Sequence, residues 1–358
     1  MKALALVETP LQLLCVKEAA DAMELTSVTV FVVSDLRSNS YTQLTKLRSW
    51  FRDFSSEKYQ FVVADLSSVA GESLELRIGL YADLFNELDH DQFDRLLLCE
   101  YRSQWQKDIA ATLSHIDTWL LDDGAATLCY LFFHVPAKKQ FSLPQTGTEE
   151  RQAEANRIKQ SMNLSTGEPA KLSLFTMFHA HVPNSIVSQP NNLRCIYKLF
   201  DAVDSSSMVF IGTNMVELGM STADQYHSIV KEIIQSTNKK VIYIPHRGQS
   251  KENNELFKSK FPTVEFLTLD MPLELWIHEQ HKPPGHIVGF YSTAFYIANL
   301  AFPQINLTCI AFTQNMLDKA EETHVFGSNL FTNKEAFALA YDYLPEKVVR
   351  YESHLMQN

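Results

Sequence analysis

Short apolar runs alternate with stretches of helical periodicity along most of the chain. The apolar runs predict strands at residues 3–7, 28–33, 59–63, 95–99 and 116–121, and again at 207–211, 241–244, 264–267, 286–289 and 306–310. Between them, apolar positions at helical spacing predict helices that begin at Thr9-Pro10 and that cover 74–88, 103–113, 223–234, 251–260, 273–278 and 293–300. This alternation is typical of parallel sheets with helices on both faces.

The alternation lapses between about residues 136 and 172, where the chain is polar. That stretch is compatible either with a helix outside the sheet or with an excursion from the fold. A second irregular segment, 182–192, contains Pro183, Pro190 and the pair Asn191-Asn192, which predicts a connection between domains. The chain of 358 residues is too long for one ordinary core, and its 46% hydrophobic content can fill two.

We therefore expect two Rossmann-like α/β domains, 1–190 and 191–358, whose parallel sheets face a central cleft. This is the GT-B architecture of many glycosyltransferases. The same architecture also fits sugar-nucleotide epimerases and some binding proteins, so the fold class alone does not decide the function.

The charge balance argues against two classes of partner. Lys and Arg total 31 against 42 Asp and Glu, for a net charge of −11, and no stretch is rich in basic residues. Such a chain is a poor nucleic-acid binder and lacks a polybasic membrane anchor. No apolar run is long enough to span a bilayer. The 5 scattered cysteines are typical of reduced thiols in a cytosolic protein. We expect a cytoplasmic location and leave attachment to the inner face of the membrane open.

Asp122-Asp123-Gly124 directly follows a predicted strand. Ligands of open α/β sheets bind beyond the carboxyl ends of the strands, where this segment falls. A carboxylate there can deprotonate a hydroxyl group, so Asp123 is the predicted general base and Asp122 a turn or supporting residue. Asp is also a common helix N-cap, so a purely structural role for either carboxylate is the alternative.

Pro245-His246-Arg247 follows a strand of the second half and precedes a predicted helix. A helix N-terminus beside an imidazole and a guanidinium predicts an anion site, in which His246 and Arg247 stabilise a departing phosphate. The alternative is a loop histidine beside a solvated arginine.

Three further candidate positions follow strands of the second half. Ser292 and Thr293 precede a helix and can donate hydrogen bonds to a phosphate, although both residue types are also ordinary caps. Gly212 can let the backbone pass close to a nucleotide base, or can simply form a turn.

In this order, Asp122-Asp123-Gly124, His246 and Ser292-Thr293 resemble the motifs of bacterial sialyltransferases. The opening segment Thr9-Pro10-Leu11-Gln12-Leu13-Leu14 is similar to the start of the lipooligosaccharide sialyltransferase and polysialyltransferase families. The resemblance implies that Thr9, Gln12 and Asp122 lie on the acceptor side. It also implies that Glu274, in Met271-Pro272-Leu273-Glu274, binds the nucleotide ribose.

The chain departs from this pattern at the histidine, because proline precedes His246 and arginine follows it. Polysialyltransferase-like members resemble this variant more closely. In some lipooligosaccharide sialyltransferases, the base lies instead in the second domain, shortly before the histidine. Asp224 is the alternative base by that comparison. The alternative is that Asp224 is structural, because the helix dipole stabilises a carboxylate at the N-terminus of a helix.

The resemblance implies an inverting glycosyltransferase that moves sialic acid, or a related nonulosonate, from its CMP-sugar to a hydroxyl of a cell-surface oligosaccharide or polysaccharide. It implies no cofactor, and a single phosphate leaving group makes metal-independent transfer the expectation. Three alternatives stay open. They are a GT-B glycosyltransferase with another nucleotide sugar, a GT-B-like epimerase or hydrolase, and a non-catalytic sugar-nucleotide binding protein.

Overall fold

The computed structural model describes residues 1–139, 148–167, 171–320 and 330–353. The chain forms two compact units. Unit 1 consists mainly of Met1–Asn192, and unit 2 begins at Leu193. Each unit contains its own parallel sheet.

The sheet of unit 1 has seven strands, all parallel. They are β1 (Lys2–Val7), β2 (Ser27–Ser34), β3 (Tyr59–Asp65), β4 (Arg95–Leu98), β5 (Asp117–Leu121), β6 (Leu172–Thr176) and β7 (Ser188–Pro190). Their spatial order is β3-β2-β1-β4-β5-β6-β7, so the direction of winding reverses between β1 and β4. A crevice at the carboxyl ends of strands forms at such a reversal, which makes it the preferred ligand position of the sheet.

Six α-helices accompany this sheet within the described part of unit 1. They are α1 (Pro10–Ala22), α2 (Asn39–Trp50), α3 (Leu74–Asn86), α4 (Gln104–Thr112), α5 (Ala125–Cys129) and α6 (Glu149–Ser161). The first begins where the side chain of Thr9 accepts a hydrogen bond from the Gln12 backbone and Pro10 occupies the first turn, a common helix start. Strands β1 and β2 are almost continuously buried, because helices cover both faces of the sheet.

The polar stretch for which the sequence left two possibilities open contains a helix, α6. This helix packs against the rest of unit 1. Its Lys159 is buried and forms an ion pair with Asp108 of α4, with 2.6 Å between Nζ and Oδ1. The Tyr81 hydroxyl of α3 donates to the other Asp108 oxygen at 2.6 Å. Buried charges persist only when they are paired and hydrogen-bonded in this way. Residues 140–147 and 168–170 of that stretch lie outside the described residues.

The sheet of unit 2 has six parallel strands, β8 (Ser207–Ile211), β9 (Lys240–Ile244), β10 (Glu265–Phe266), β11 (His286–Phe290), β12 (Asn306–Ile310) and β13 (Val349–Tyr351). Their order is β10-β9-β8-β11-β12-β13, so the winding reverses between β8 and β11. The helices are α7 (Ala223–Gln235), α8 (Lys251–Lys260), α9 (Leu273–Glu279), α10 (Ala294–Ala301), α11 (Gln314–Ala320) and α12 (Asn333–Asp342). Tyr243 and Phe257 stack between β9 and α8 with ring centroids 3.7 Å apart.

The predicted α/β class is confirmed, and the structure adds elements that the pattern did not predict. Helix α2 was missed because only Leu44 and Leu47 of its residues are buried, so its apolar stripe is weak. The segment expected to be an interdomain connection contains the edge strand β7, which pairs with β6 in the sheet of unit 1. Strand β13 and helices α11 and α12 were also not predicted. Among the described residues, no helix is both long and apolar enough to cross a membrane.

Candidate functional site

Each of three adjacent strands of unit 1 is followed by a carboxylate. Glu8 comes directly after β1, Glu100 lies two residues beyond the last residue of β4, and Asp123 lies two residues beyond the last residue of β5. Because these strands are neighbours in the sheet, their carboxyl ends bring the three side chains to one edge. The edge includes the reversal between β1 and β4, where a ligand site of unit 1 is expected.

The Asp123 side chain is held on both oxygens and is 19% exposed. Gln12 of α1 donates from Nε2 to Oδ1 at 3.1 Å, and Arg102 Nη2 lies 3.4 Å from Oδ2. Gly124 follows with a φ of +63°, a backbone conformation in which other residues are strained. The Asp-Asp-Gly segment therefore turns sharply and leaves the Asp123 carboxyl partly accessible at the edge of the sheet.

Gln12 is itself fixed by the first turn of α1. Its backbone N–H donates to the Thr9 hydroxyl at 3.3 Å, and its Oε1 accepts from the Glu8 backbone N–H at 2.7 Å. The resemblance implied an acceptor-side position for both Thr9 and Gln12, but the two side chains make different contacts. Gln12 contacts Asp123 directly, whereas the Thr9 hydroxyl caps the helix.

Glu100, which is buried, forms an ion pair with the half-buried Arg102 beside Asp123. Glu100 Oε1 accepts from both the backbone N–H and Nε of Arg102 at 2.8 Å, and Oε2 contacts Nη2. Glu100 and Asp123 are also hydrogen-bonded to each other. Sequence reasoning missed both residues, although the rule that singled out Asp123, a polar group directly after a buried strand, applies to them as well.

The carboxyls of Asp123 and Glu100 differ in their acidity. Burial raises the pKa of Asp123 well above its ordinary value, and the negative charge of Glu100 raises it further. Burial by itself also raises the pKa of Glu100, but the charge and hydrogen bonds of Arg102 outweigh it and lower that pKa overall. When the pair holds a single proton, Asp123 is therefore the group that retains it.

Glu8 is the third carboxylate of this edge and was not predicted either. One of its oxygens accepts hydrogen bonds from the Ser103 hydroxyl, the Trp105 indole and the Gln106 amide. Burial is the main reason that its pKa is raised. The same Gln106 accepts the backbone N–H groups of Cys99 and Glu100 at 3.0 and 2.9 Å, which fixes the chain beyond β4.

Asp122 is fully buried and joins the ends of two strands. Its oxygens accept from the Thr176 hydroxyl and from the Met177 backbone N–H, each at 2.7 Å. Burial raises the pKa of Asp122 to about 6. These contacts support the turn that carries Asp123.

In unit 2, Gly212 follows β8 at a position with no space for a side chain. A Cβ atom there would lie 2.6 Å from the Tyr243 hydroxyl oxygen and 3.0 Å from Gln249 Oε1. Tyr243 is hydrogen-bonded to Tyr226 and to Gln249, each at 2.9 Å. This chain of polar contacts holds the loop after β8 against the loop after β9.

His246, after β9, has a defined tautomer. Its Nδ1 accepts the Gly248 backbone N–H at 3.0 Å, so in the neutral ring the proton is on Nε2. Burial, followed by the charge of Arg247, lowers the pKa of His246 to about 4. The free protein therefore presents a neutral imidazole N–H donor at pH 7. Of the two residues expected to stabilise the phosphate, Arg247 is the cation and His246 is neutral.

At the N-terminus of α8, a carboxylate from the loop after β8 lies beside the expected anion site. Glu217 accepts the Ser250 backbone N–H at 2.7 Å and the Asn253 amide at 2.8 Å. The Ser250 hydroxyl accepts the Asn253 backbone N–H at 3.1 Å. The carboxylate and the cap therefore bind the backbone N–H groups of Ser250 and Asn253 at this helix start.

Ser292 and Thr293 lie between α10 and β11, which is the strand next to β8. The Ser292 hydroxyl accepts the Ala294 backbone N–H at 3.3 Å, while the Thr293 side chain makes no capping hydrogen bond. Gly289 lets β11 approach β8 closely, since a Cβ there would lie 2.8 Å from the Ile211 carbonyl oxygen. Both hydroxyls thus follow a strand at the reversal of unit 2.

Glu274 lies in the first turn of α9, and Asp224 in the first turn of α7. Burial raises the pKa of Glu274, and the charge of Arg247 opposes this, which places the two residues within electrostatic range of each other. Asp224 differs, because its side chain is 88% exposed and paired with Lys260 at 2.6 Å. That lysine lowers the pKa of Asp224. Across the described ranges, no group of three or more His, Cys, Asp or Glu side chains could hold a metal ion.

Two α/β units with parallel sheets of this kind also occur among solved structures. The fold is similar to that of a Listeria monocytogenes protein assigned as a UDP-N-acetylglucosamine 2-epimerase, with a TM-score of 0.54 at 13% identity over 97% of this chain and 91% of that one. E. coli heptosyltransferase WaaC with ADP matches with a TM-score of 0.42 at 11% identity, over 99% and 93% of the chains. The fold class is GT-B.

The family follows from the sequence. The model of the alpha-2,8-polysialyltransferase family matches residues 3–311, and the chain belongs to that family. No curated protein matches the sequence. The matched residues include every candidate position of both units, from Thr9 to Thr293. The protein is thus a glycosyltransferase, which the resemblance of its short motifs had implied.

Proposed function

We propose that the protein transfers sialic acid, or a related nonulosonate, from its CMP-sugar to a hydroxyl group of a glycan, with inversion at the anomeric carbon. The observation that carries this proposal is the match of the alpha-2,8-polysialyltransferase family over residues 3–311. Polar groups at the sheet reversals of both units support it, because an acceptor hydroxyl needs a base and a departing phosphate needs hydrogen-bond donors.

In this proposal Asp123 accepts the proton of the attacking hydroxyl. The oxygen forms a bond to the anomeric carbon on the face opposite the phosphate, and the bond to the phosphate oxygen breaks with its electron pair leaving on CMP. Asp123 must be ionised for this step. Since burial and Glu100 raise its pKa, it is a stronger base than an ordinary aspartate but ionises at higher pH.

Unit 2 supplies the groups for the nucleotide and its phosphate. His246 donates from Nε2 because Gly248 occupies Nδ1, and the hydroxyls of Ser292 and Thr293 add two donors. Arg247 supplies the positive charge. Glu274 accepts hydrogen bonds from the ribose hydroxyls, and Gly212 lets the loop after β8 approach the base. The proposed reaction uses no cofactor and no metal ion, and the proposed location is the cytoplasm.

The test is donor hydrolysis and transfer over a panel of CMP- and UDP-sugars, with and without EDTA. We expect CMP-sialic acid to be consumed, UDP-sugars to be left intact, and chelation to change the rate by less than about twofold. Turnover of a UDP-sugar alone would favour another glycosyltransferase or an epimerase. Loss of activity with EDTA that Mg²⁺ or Mn²⁺ restores would contradict the metal-independent mechanism. Binding of CMP without turnover of any donor would favour the alternative of a non-catalytic sugar-nucleotide binding protein.

A further inference from the structure

Asp123 is held by groups from two elements other than its own. Gln12 of α1 donates to Oδ1 at 3.1 Å, and Arg102, beyond β4, lies 3.4 Å from Oδ2. A carboxyl fixed through both oxygens keeps one direction, which a base needs if it is to meet a hydroxyl at hydrogen-bond distance. Arg102 therefore contacts the proposed base directly.

Arg102 is in turn directed by Glu100. Two hydrogen bonds of 2.8 Å join Glu100 Oε1 to the backbone N–H and Nε of Arg102, so the guanidinium cannot rotate freely about its stem. Glu100 is 6% exposed and is also hydrogen-bonded to Asp123. Removing Arg102 would leave Glu100 buried without its counter-charge.

We propose that Glu100 and Arg102 are positioning residues of the transfer reaction, which hold Asp123 in direction and set its ionisation from opposite sides. The inference rests on the proposed role of Asp123 as the base. Glu100 adds a negative charge that keeps the proton on Asp123, whereas Arg102 adds a positive charge that favours its release. Neither residue needs to touch the reacting atoms.

Other titratable groups lie near Asp123 or Glu100 and stay constant in the test. Cys15 of α1 and Cys99 and Tyr101 beyond β4 are within electrostatic range of Asp123, and Glu8 beyond β1 is within that of Glu100. Asp122 precedes Asp123 in the chain. Burial raises the pKa of Cys15, Cys99 and Tyr101, so these three are neutral at pH 7. Glu8 and Asp122 titrate, but a shift between variants that differ only at 100 or 102 does not arise from them alone.

The experiment is the pH dependence of kcat/KM, which reports the ionisation of groups in the free enzyme. The rate should rise with pH as Asp123 loses its proton. In Glu100→Gln the rising limb should move to lower pH, because a neighbouring negative charge is gone. In Arg102→Gln it should move to higher pH, because the cation is gone. A merely structural role would not move the two limbs in opposite directions.

Two further variants separate charge from geometry. Arg102→Lys and Glu100→Asp keep the charges but lose the paired hydrogen bonds. We expect their limbs to lie closer to that of the wild type than those of the glutamine variants, with a reduced kcat at the plateau. If Glu100→Gln does not fold, a limb that moves to higher pH in Arg102→Gln and stays near the wild type in Arg102→Lys still decides the question.

Asp108→Asn is the matched control, a buried carboxylate of the same unit that pairs with Lys159 rather than with Asp123. It should lower the melting temperature and leave the limb in place. Limbs of Glu100→Gln and Arg102→Gln that coincide with the wild type, or that move together, would overturn the inference while leaving the proposed function intact. If Asp123→Asn transfers at the wild-type rate, the proposed base itself is wrong, and that result is recognised independently.

Discussion

Asp123 and Asp224, the two carboxylates that compete for the role of base, have opposite surroundings. Asp123 is 19% exposed, and burial and Glu100 raise its pKa. Asp224 is 88% exposed, and Lys260 lowers its pKa. A carboxylate with a raised pKa accepts a proton more readily than one that a lysine stabilises as the anion. At the scale of single residues, Asp123 is therefore the better base.

The first prediction is that Asp123→Asn loses transfer by about 10²–10⁴-fold, the usual contribution of general acid–base catalysis. Asparagine keeps the shape of the side chain but cannot take the proton. The measurement is kcat with CMP-sialic acid and a glycan acceptor. CMP should still raise the melting temperature of the variant as it does that of the wild type, because the proposed nucleotide groups lie in unit 2.

Asp224→Asn is the comparison, and it should remain active to within about twofold. An exposed ion pair such as Asp224–Lys260 contributes ~0–1 kcal/mol, so little stability is lost. An inactive Asp224→Asn together with a fully active Asp123→Asn would place the base in unit 2. Asp122-Asp123-Gly124 would then be only a strand-to-helix turn.

The second prediction concerns the charge of His246. Since its pKa is lowered to about 4, the imidazole of the free protein is neutral throughout pH 5.5–8. Binding of a CMP phosphodiester, whose phosphate has no ionisation in this range, should therefore not weaken as pH rises through the ordinary value of histidine, about 6.5. The measurement is Kd by calorimetry at several pH values.

His246→Ala should weaken this binding at every pH, because the Nε2 donor is lost. A hydrogen bond to a charged group contributes about 1.5–3 kcal/mol, or roughly 10- to 150-fold in Kd. If the affinity instead falls steeply above pH 6.5 in the wild type and not in the alanine variant, His246 binds as a cation, and the assigned neutral donor is wrong.

At the scale of elements, the third prediction is that Gly212→Ala destabilises the protein by about 1–3 kcal/mol, the usual cost of overpacking. The new Cβ would lie 2.6 Å from the Tyr243 hydroxyl and 2.9 Å from its ring carbon Cζ. Tyr243 is fully buried and hydrogen-bonded to Tyr226, so it cannot turn away. The measurement is urea unfolding, and CMP binding should weaken as well, because the loops after β8 and β9 are pushed apart.

Gly79→Ala is the control for this change. Gly79 lies inside α3, where an added Cβ meets Met162 at an ordinary 3.5 Å. Alanine is a better helix former than glycine, so this variant should be neutral or more stable by about 0.5–1 kcal/mol. Equal stability of Gly212→Ala and the wild type would show that the loop after β8 has space that the structure does not indicate.

At the scale of the whole molecule, the fourth prediction is that CMP raises the melting temperature and UDP at the same concentration does not. A ligand that binds only the folded state stabilises it by RT ln(1 + [L]/Kd), about 2.7 kcal/mol at 100 times Kd. The measurement is a thermal scan at several nucleotide concentrations.

The proposed nucleotide groups all lie in unit 2, so Asp123→Asn should keep the CMP shift, and the paired change Ser292→Ala with Thr293→Ala should reduce it. Stabilisation by UDP without any effect of CMP would be incompatible with a CMP-sugar donor. A CMP shift that survives the double hydroxyl change but disappears in Asp123→Asn would mean that the roles of the units are assigned wrongly.

Local pattern was sufficient for most strands and for the order of the motifs. The runs at 207–211 and 306–310 and the helix at 251–260 coincide with β8, β12 and α8. Buried strands and amphipathic helices impose periods of their own on the chain, so these elements are visible without tertiary contacts. The strand-end position of Asp123, His246 and Ser292 follows from the same pattern, because each lies two residues beyond the end of a strand.

Elements that depend on distant partners could not be predicted in this way. Helix α6 has almost no apolar face, and its buried residue, Lys159, is explained only by Asp108, which lies on another helix. Strand β7 has three residues and exists because β6 is beside it. The sequence predicted an anion site at the start of α8, and only the folded chain brings Glu217, a residue of the loop after β8, beside it.

The sequence by itself determined the fold class, the two successive α/β halves and the candidate residues at the strand ends, because each depends on local periodicity and on the polarity of the following loop. Only the tertiary structure decided which of these residues meet. The order of the strands brings Glu8, Glu100 and Asp123 to one edge although they are far apart in the chain. Their burial and mutual charge, together with Arg102, then set where the proton lies, and no local pattern contains that information.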